Sequence, residues 1–367
     1  MTNKNKLLFV THIFKDDTNG VWKKINQQVK AFAELGIDVD FIYLDCQNVI
    51  IENTTTKKIE KYPFRFKYYS FKIISHYVNK KYDFLYLRKP HGGLYPLFVN
   101  ALIKKAVSLS PRISIYMEIP TYPYKNEINT LKEKVSDFVF DMTFPFYKKD
   151  IKSILYIGEY AEKIYGVKAK KIFNGINLNE SYPRGKDLRN KDTFIFCGVA
   201  NLKFWHGYDR VIKSISEYKG PKEVYFYIVG DNEPEYSKLK LLSHELKVTN
   251  RIKFLGKLNS LEINSVLENV NVCVDALGRH RSGNNYNSSI KSKEYTASGI
   301  PFIKSHIDDS FGDEIFIKQI DATDNTFKVE DIIGWYDTLP DDFIMTEINY
   351  AKNNFDWRTI LKCVIDK

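Results

Sequence analysis

The sequence predicts an α/β protein of two doubly wound domains, each a mostly parallel sheet covered by helices, facing one another across a cleft. Three observations carry that expectation. At 367 residues the chain exceeds what one hydrophobic core usually organises. Short apolar runs alternate with segments of helical periodicity, the pattern of parallel strands joined by crossover helices. The alternation breaks at a turn-rich stretch, NGINLNESYPRG (174–185), and then restarts.

The elements follow in order. KLLFVTHIF (6–14) reads as a buried parallel strand, 20–35 as a helix with apolar spacing at Val21, Ile25, Val29, Phe32 and Leu35, and Gly36 as its stop. IDVDFIYL (37–44) completes a βαβ unit. YDFLYLR (82–88) is a third strand, followed by a Pro/Gly break and a helical stretch near 94–108; RISIYMEIP (112–120) and SILYIG (153–158) add two more strands. After the break come strand TFIFCGVA (193–200), helix 207–218, strand VYFYIVGD (224–231) and helix 235–246. Strand RIKFLGKL (251–258), helix 260–269, strand VNVCVDAL (270–277), helix 289–298 and strand IPFIKS (300–305) complete the second sheet. The expected boundaries are 1–173, 174–345, and a helical segment 346–367 that packs back on the first domain. Such a layout places ligands at the carboxyl ends of strands.

Composition narrows the class. Hydrophobic residues at 44% and aromatics at 15% fill sizeable cores, and 12 Pro and 18 Gly are too few for a disordered or fibrous chain. Cys46, Cys197, Cys273 and Cys363 show no metal-ligand or redox spacing, so no disulfide framework or zinc site is expected and a reducing cytosol fits. The opening MTNKNKLLFVTHIF is too short in apolar residues for an export signal, and no later run is long enough to cross a membrane.

Net charge is +10, and it is unevenly placed. Residues 1–171 carry 29 Lys and Arg against 17 Asp and Glu, a balance of +12, whereas 172–367 carry 26 against 28. Eight of those cations, with one Glu, lie in 57–82 among Tyr, Phe and Ile. This mixture suits an anionic lipid surface, could stack single-stranded nucleic acid, or is a solvated face over buried aromatics. No nucleic-acid module motif appears, so no nucleic-acid partner is expected.

The stretch SIKSKEYTASGIPFI (289–303) concentrates the chemistry: Glu294 inside a helix of small residues, then Gly299, Pro301 and a strand. It resembles the donor-site signature of the GT-B glycosyltransferases of the large retaining family 4. IFNGINLNE (172–180), VANLKFWHGYDRVIKSI (199–215) and YIVGD with RIKFLGKL (227–231, 251–258) resemble other elements of that family in the same order. The loop ending at Gly20 and MEIPTYPYKNE (117–127) resemble elements of its polysaccharide-building members.

The resemblance implies two Rossmann-like domains, a nucleotide-diphosphate sugar as donor substrate, no cofactor and no metal. Glu294 is then the partner of the ribose hydroxyls, since one carboxylate accepts from two adjacent hydroxyls, although it could also be a solvated helix residue. Gly256 and Leu258 would offer backbone groups to the base, or form an ordinary turn. Two departures matter. Tyr286 stands eight positions before Glu294, where the family has a second glutamate, and Asn201 and His206 replace an Arg and a Lys that face the phosphates. Replacement cations are near: Lys203, Arg279 and Arg281 in GRHRSGNN, and Lys291, which shares a helix face with Glu294. Arg281 and Lys291 are the expected diphosphate clamp.

In the first half, Gly20 opens a helix whose N–H groups could approach phosphate. Glu118 ends a strand at the cleft mouth, where it could orient the acceptor hydroxyl, and His91 follows another strand end. Asp38-Val39-Asp40 imitates a metal-binding acidic pair but reads as structural. Neither a phosphate loop ending in Lys-Ser/Thr nor a Gly-x-Ser-x-Gly elbow occurs. The function expected is hexosyl-type transfer from a nucleotide sugar to a growing glycan, lipid-linked, with retention of configuration, in the cytoplasm and in peripheral contact with anionic membrane. The alternatives are a non-catalytic glycosyltransferase-like subunit and a nucleotide-sugar epimerase on the same fold.

Overall fold

A computed structural model describes residues 4–16, 19–124, 128, 130–183, 187–283 and 285–366. The chain divides into two compact units, Met1–Gly175 with Trp357–Lys367, and Ile176–Asp356.

The first unit is built on nine strands: β1 (Lys6–Phe14), β2 (Asp38–Asp45), β3 (Asn48–Asn53), β4 (Ile59–Pro63), β5 (Phe84–Arg88), β6 (Ser114–Tyr122), β7 (Ile151–Gly158), β8 (Lys163–Ile164) and β9 (Val167–Lys171). Their order is β4-β3-β2-β1-β5-β6-β7-β9-β8. β1 pairs in parallel with both β2 and β5, so the chain leaves β1 first to one side and later to the other. The centre of the sheet is apolar on both faces. One face is covered by α1 (Gly20–Glu34), the other by α2 (Ser70–Tyr77), α3 (Val99–Leu109) and α4 (Leu131–Thr143). α1 begins at Asn19, whose side chain accepts the Val21 N–H at 2.8 Å. Trp22, Ile25, Val29 and Phe32 form its buried face, and Val21, expected inside, is exposed.

The second unit has six parallel strands, β10 (Thr193–Val199), β11 (Glu223–Val229), β12 (Ile252–Gly256), β13 (Val272–Val274), β14 (Phe302–Lys304) and β15 (Ile317–Gln319), in the order β12-β11-β10-β13-β14-β15. Helices α5 (Tyr208–Glu217), α6 (Glu235–Glu245), α7 (Ser260–Leu267), α8 (Ile290–Ser298), α9 (Val329–Asp337) and α10 (Phe343–Asn354) follow. The expected single helix after 346 is two: α10 belongs to the second unit, while α11 (Trp357–Ile365) lies in the first and packs on α1. Among the described residues no helix is long and apolar enough to cross a membrane.

Strand β3 extends the first sheet antiparallel to β2, and β4 pairs antiparallel with β3 at the sheet's edge. The basic segment 57–82 is therefore an edge strand followed by α2, with Lys58 paired to Glu60 and Lys80 to the buried Asp40. Asp40 also accepts from Tyr82 and Asn53, the structural role expected of that acidic pair.

Candidate functional site

In the second unit, the strand order reverses between β10 and β13. In open parallel sheets ligands bind where neighbouring loops diverge at such a point. The loop after β10 carries Asn201, Lys203 and His206; the loop after β13 starts at Asp275 and leads to α8. Two backbone bonds stitch these loops together, from Leu277 N–H to His206 O at 2.9 Å and from Gly278 N–H to Trp205 O at 3.2 Å. Gly207 makes that approach possible: its φ is +66°, and a Cβ would stand 2.7 Å from Gly278 N and Leu277 C.

Asp275 is fully buried at the centre of this loop pair. Its Oδ1 accepts from Ser289 Oγ at 3.0 Å and from Ala276 N–H at 2.8 Å, and Lys291 Nζ lies 3.4 Å away. Burial by itself pushes the carboxyl up. Lys291, His306, the Ser289 hydroxyl and Lys293 outweigh it and hold the group at about 2. Asp275 is thus an anion at neutral pH.

His306 faces it, with Nε2 3.6 Å from Oδ2. The other ring nitrogen is 3.1 Å from the Ala276 carbonyl, which can only accept, so Nδ1 carries the proton. Burial lowers the His306 pKa although Asp275 and Asp308 oppose it, leaving the ring neutral with a lone pair turned toward a carboxylate. Among the described residues neither Asp275 Oδ2 nor His306 Nε2 has a hydrogen-bond partner.

Lys291 is the cation of the site. Its Nζ is shielded from solvent and, among the described residues, makes no hydrogen bond beyond its ion pair, although it holds three donors. The start of α8 adds more. Ser289, at the N-cap, spends its hydroxyl on Asp275 and leaves the helix without a side-chain cap or an acidic residue in its first turn. Uncapped N–H groups and a fixed ammonium together make an anion site. Neighbouring Lys293 is different: it is fully buried and paired with Asp308, so its charge is spent inside.

His206 is placed as a neutral donor. Its Nδ1 accepts the Lys203 N–H at 3.0 Å, so the ring proton sits on Nε2. Burial, and then the nearby charge of Lys291, hold its pKa well below the ordinary value. Glu294 is half-buried one turn beyond Lys291. With Ile290 these two are the positions of α8 that are not fully buried. Lys203 is half-buried, and Asn201 is exposed at the loop's start.

Other expected residues have different surroundings. Arg281 grips Asp209 through two bonds of 2.7 and 2.9 Å, Asp324 at 2.6 Å and the Phe204 carbonyl at 3.0 Å. Four of its five N–H groups are engaged by Asp209, Asp324 and the Phe204 carbonyl, which leaves Arg281 little to offer a diphosphate. Tyr286 donates to Asp309 and bridges to Ile307. The Gly256 carbonyl accepts the Gly230 N–H at 2.6 Å; beside Gly256 itself, with φ of +68°, the space is open. Leu258 packs partly against the second unit's core. In GRHRSGNN, residue 284 lies outside the described residues.

In the first unit, the expectation for Glu118 is corrected. β6 runs on to Tyr122, so Glu118 lies within the strand and is 0% exposed. It receives Gln28 at 2.9 Å, Tyr86 at 2.6 Å and Arg88 at 3.0 Å, with Lys24 at 3.1 Å. Alternation turns its side chain toward α1 and into this ion cluster instead of toward solvent. Burial would raise its pKa; Lys24 and Arg88, with Tyr86 and Gln28, bring it to about 2. Gly20 is exposed at the start of α1, and residues 17–18 before it lie outside the described residues. His91 lines a cavity of about 210 Å³ at the ends of β5 and β6, with Lys89, Tyr124, Glu133 and Asp137. Of MEIPTYPYKNE, residues 125–127 lie outside the described residues.

Sequence reading missed Asp275 and His306. The signal was available for one of them: Asp275 is the single charge in the apolar run VNVCVDAL.

Residues 183–306 match the sequence model of the family described as glycosyl transferases group 1. No curated protein sequence matches significantly. Among solved structures, the chain is similar to sucrose-phosphate synthase from Thermosynechococcus elongatus, with TM-score 0.66 and 14% identity over 98% of this chain and 97% of that one. It is also similar to a glycosyltransferase from Rickettsia africae, with TM-score 0.66 and 14% identity over 99% and 97%. Anabaena HepE, solved with UDP and glucose, gives 0.58 and 13% over 98% of each chain. The fold is that of GT-B glycosyltransferases, with two Rossmann-like parallel-sheet units.

Proposed function

We propose that the chain transfers a hexose from a nucleotide-diphosphate sugar to a lipid-linked glycan with retention of configuration. The observation that carries this reading is the unbonded, solvent-shielded ammonium of Lys291 at the uncapped start of α8, inside the segment that matches the family model. A diphosphate supplies acceptor oxygens to Lys291 and to the uncapped first N–H groups of α8, with the Nε2–H of His206 as a further donor. Glu294, one turn on, takes the ribose hydroxyls. Asp275 holds Lys291 in place and is not itself offered to the sugar.

Chemistry then needs little more from the chain. As the bond from the anomeric carbon to the diphosphate breaks, charge develops on the leaving oxygen, and donors fixed beforehand stabilise it. The acceptor hydroxyl attacks on the same face and gives its proton to that oxygen, so no protein nucleophile is required. The balance of +12 over 1–171 supports a peripheral contact with anionic membrane, where a lipid-linked acceptor would be found.

Calorimetry with a panel of nucleoside diphosphates tests the reading, followed by transfer assays with the matching sugar. Binding of one diphosphate that weakens in Glu294→Ala supports it. A chain that binds none is a non-catalytic subunit, and one that isomerises the sugar without an acceptor is an epimerase.

A further inference from the structure

α4 is amphipathic in the wrong direction for a helix that only covers a core. Leu131, Val135, Phe138 and Met142 are 78%, 41%, 66% and 60% exposed. At about 100° per residue these positions fall within roughly 60° of arc, one continuous outward stripe. The side turned inward contributes Ser136 and Phe140. Phe146, just beyond the helix, is 66% exposed and extends the stripe. Folding alone gives no reason for such a face.

Its surroundings say what covers it. Lys132 and Lys134 flank the stripe on opposite sides and Lys149 lies past its end; none has an acidic partner among the described residues. α4 packs against the 3-10 turn Tyr95–Phe98, whose Leu97 is exposed. Phe98 in turn meets Tyr69, at 5.0 Å between ring centres, and Tyr69 meets Phe66. Apolar side chains bordered by Lys132 on one side and by Lys134 and the exposed Asp141 on the other therefore run from α4 to the basic segment. A protein groove would have to match this breadth with carboxylates placed around an apolar centre. An anionic bilayer offers both everywhere: headgroup charge for the lysines and acyl boundary for the stripe.

We propose that the outward face of α4 inserts into the headgroup region of an anionic bilayer, Phe138 and Met142 being the deepest residues. This rests on the membrane contact in the function proposed above and names the surface that makes it. The basic segment 57–82 then adds long-range attraction, and α4 supplies the contact that salt does not abolish.

The test is co-sedimentation of the full chain with phosphatidylcholine vesicles, with and without phosphatidylglycerol. Wild type should bind the anionic vesicles, and Phe138→Gln with Met142→Gln should weaken binding by about tenfold or more. Both residues are exposed, so unchanged melting and unchanged nucleoside diphosphate affinity are the folding controls. A second chain with Lys57, Lys58, Lys61, Arg65 and Lys67 changed to Ser separates the ideas. If it loses binding while the α4 variant keeps it, the membrane reading stands and the α4 inference fails. Wild type that ignores both vesicles overturns both. A wild-type dimer that the α4 variant disperses, with no vesicle binding, identifies a second copy as the occupant and overturns the proposal.

Discussion

Changing Lys291 to Met removes the ammonium proposed to hold the leaving diphosphate, and the structure shows why that variant alone is a poor test. Lys291 is the strongest of the influences that hold Asp275 near 2, so its loss lets the carboxyl rise and makes it easier for His306, 3.6 Å away, to take a proton. Removing one member of a buried ion pair costs about 3–5 kcal/mol. The Lys291 side chain is 22% exposed, which puts this case at the lower end. Adding Asp275→Asn repairs the damage. The amide oxygen still accepts from Ser289, and its N–H groups face the His306 lone pair. Stability of Lys291→Met/Asp275→Asn should return to within about 1 kcal/mol of wild type in urea melts. Its turnover should stay down by about 10²–10³, the effect of losing one preorganised donor to a developing anion. Asp275→Asn alone keeps the ammonium and should stay within about tenfold of wild type. The assay is release of nucleoside diphosphate in the presence of acceptor. A well-folded double variant that turns over within about threefold of wild type would refute the assignment of Lys291.

Glu294→Ala should weaken binding of the nucleoside diphosphate without sugar, measured by calorimetry, by about tenfold or more, because a carboxylate on two ribose hydroxyls acts before chemistry. Glu118→Gln leaves Lys24 and Arg88 buried without an anion and should cost about 3–5 kcal/mol in denaturant unfolding. Adding Lys24→Met should recover part of that, since burial already depresses Lys24 to about 8 despite Glu118. Acid should destabilise the fold through Glu118 and Asp275. Both are held near 2, below their ordinary values, so their contribution is complete above about pH 4.5 and is lost as pH falls toward 2. Unfolding midpoints in urea from pH 6 to pH 2 should show that fall, and the Glu118→Gln chain should show a shallower one.

The central parallel strands were legible because they are largely apolar, as strands covered on both faces must be, whereas β9 (VKAKK) and β15 (IKQ), also parallel, carry lysines and were missed. The β3–β4 pair was missed for the opposite reason. Its first turn, DCQN, lacks a hairpin dipeptide and puts Cys46 at a φ of +50°, and β4 is an edge strand whose lysines read as a charge cluster. α4 escaped notice because its apolar positions have helical spacing but face outward, so there was no core partner to anticipate. Strand VNVCVDAL was found but read too long: only Val272–Val274 pair, and the residues after them leave the sheet to build the site.

Glu118 and Asp275 show most clearly where sequence reading stops. Each is a single carboxylate in a run of apolar residues, Glu118 in the middle of β6 and Asp275 just past the end of β13, and each is fully buried and held near 2. What separates them is how completely the carboxylate itself is satisfied. Both oxygens of Glu118 are engaged, by hydrogen bonds from three side chains and an ion pair from Lys24, although Gln28 Oε1 and Arg88 Nε beside it have no hydrogen bond among the described residues. Around Asp275, among the described residues, one carboxylate oxygen and the His306 Nε2 have no hydrogen bond, and the Lys291 ammonium has none beyond its ion pair with Asp275. Arg281 and Lys291 repeat the contrast among cations, the first spending four N–H groups on its own protein and the second none. Buried polar groups left unbonded cost about 1–3 kcal/mol each, and a fold keeps several in one place where something else completes them. The residue types that mark a site are visible in the sequence, but the unmet hydrogen bonds that separate a binding group from a structural one depend on neighbours tens of residues away.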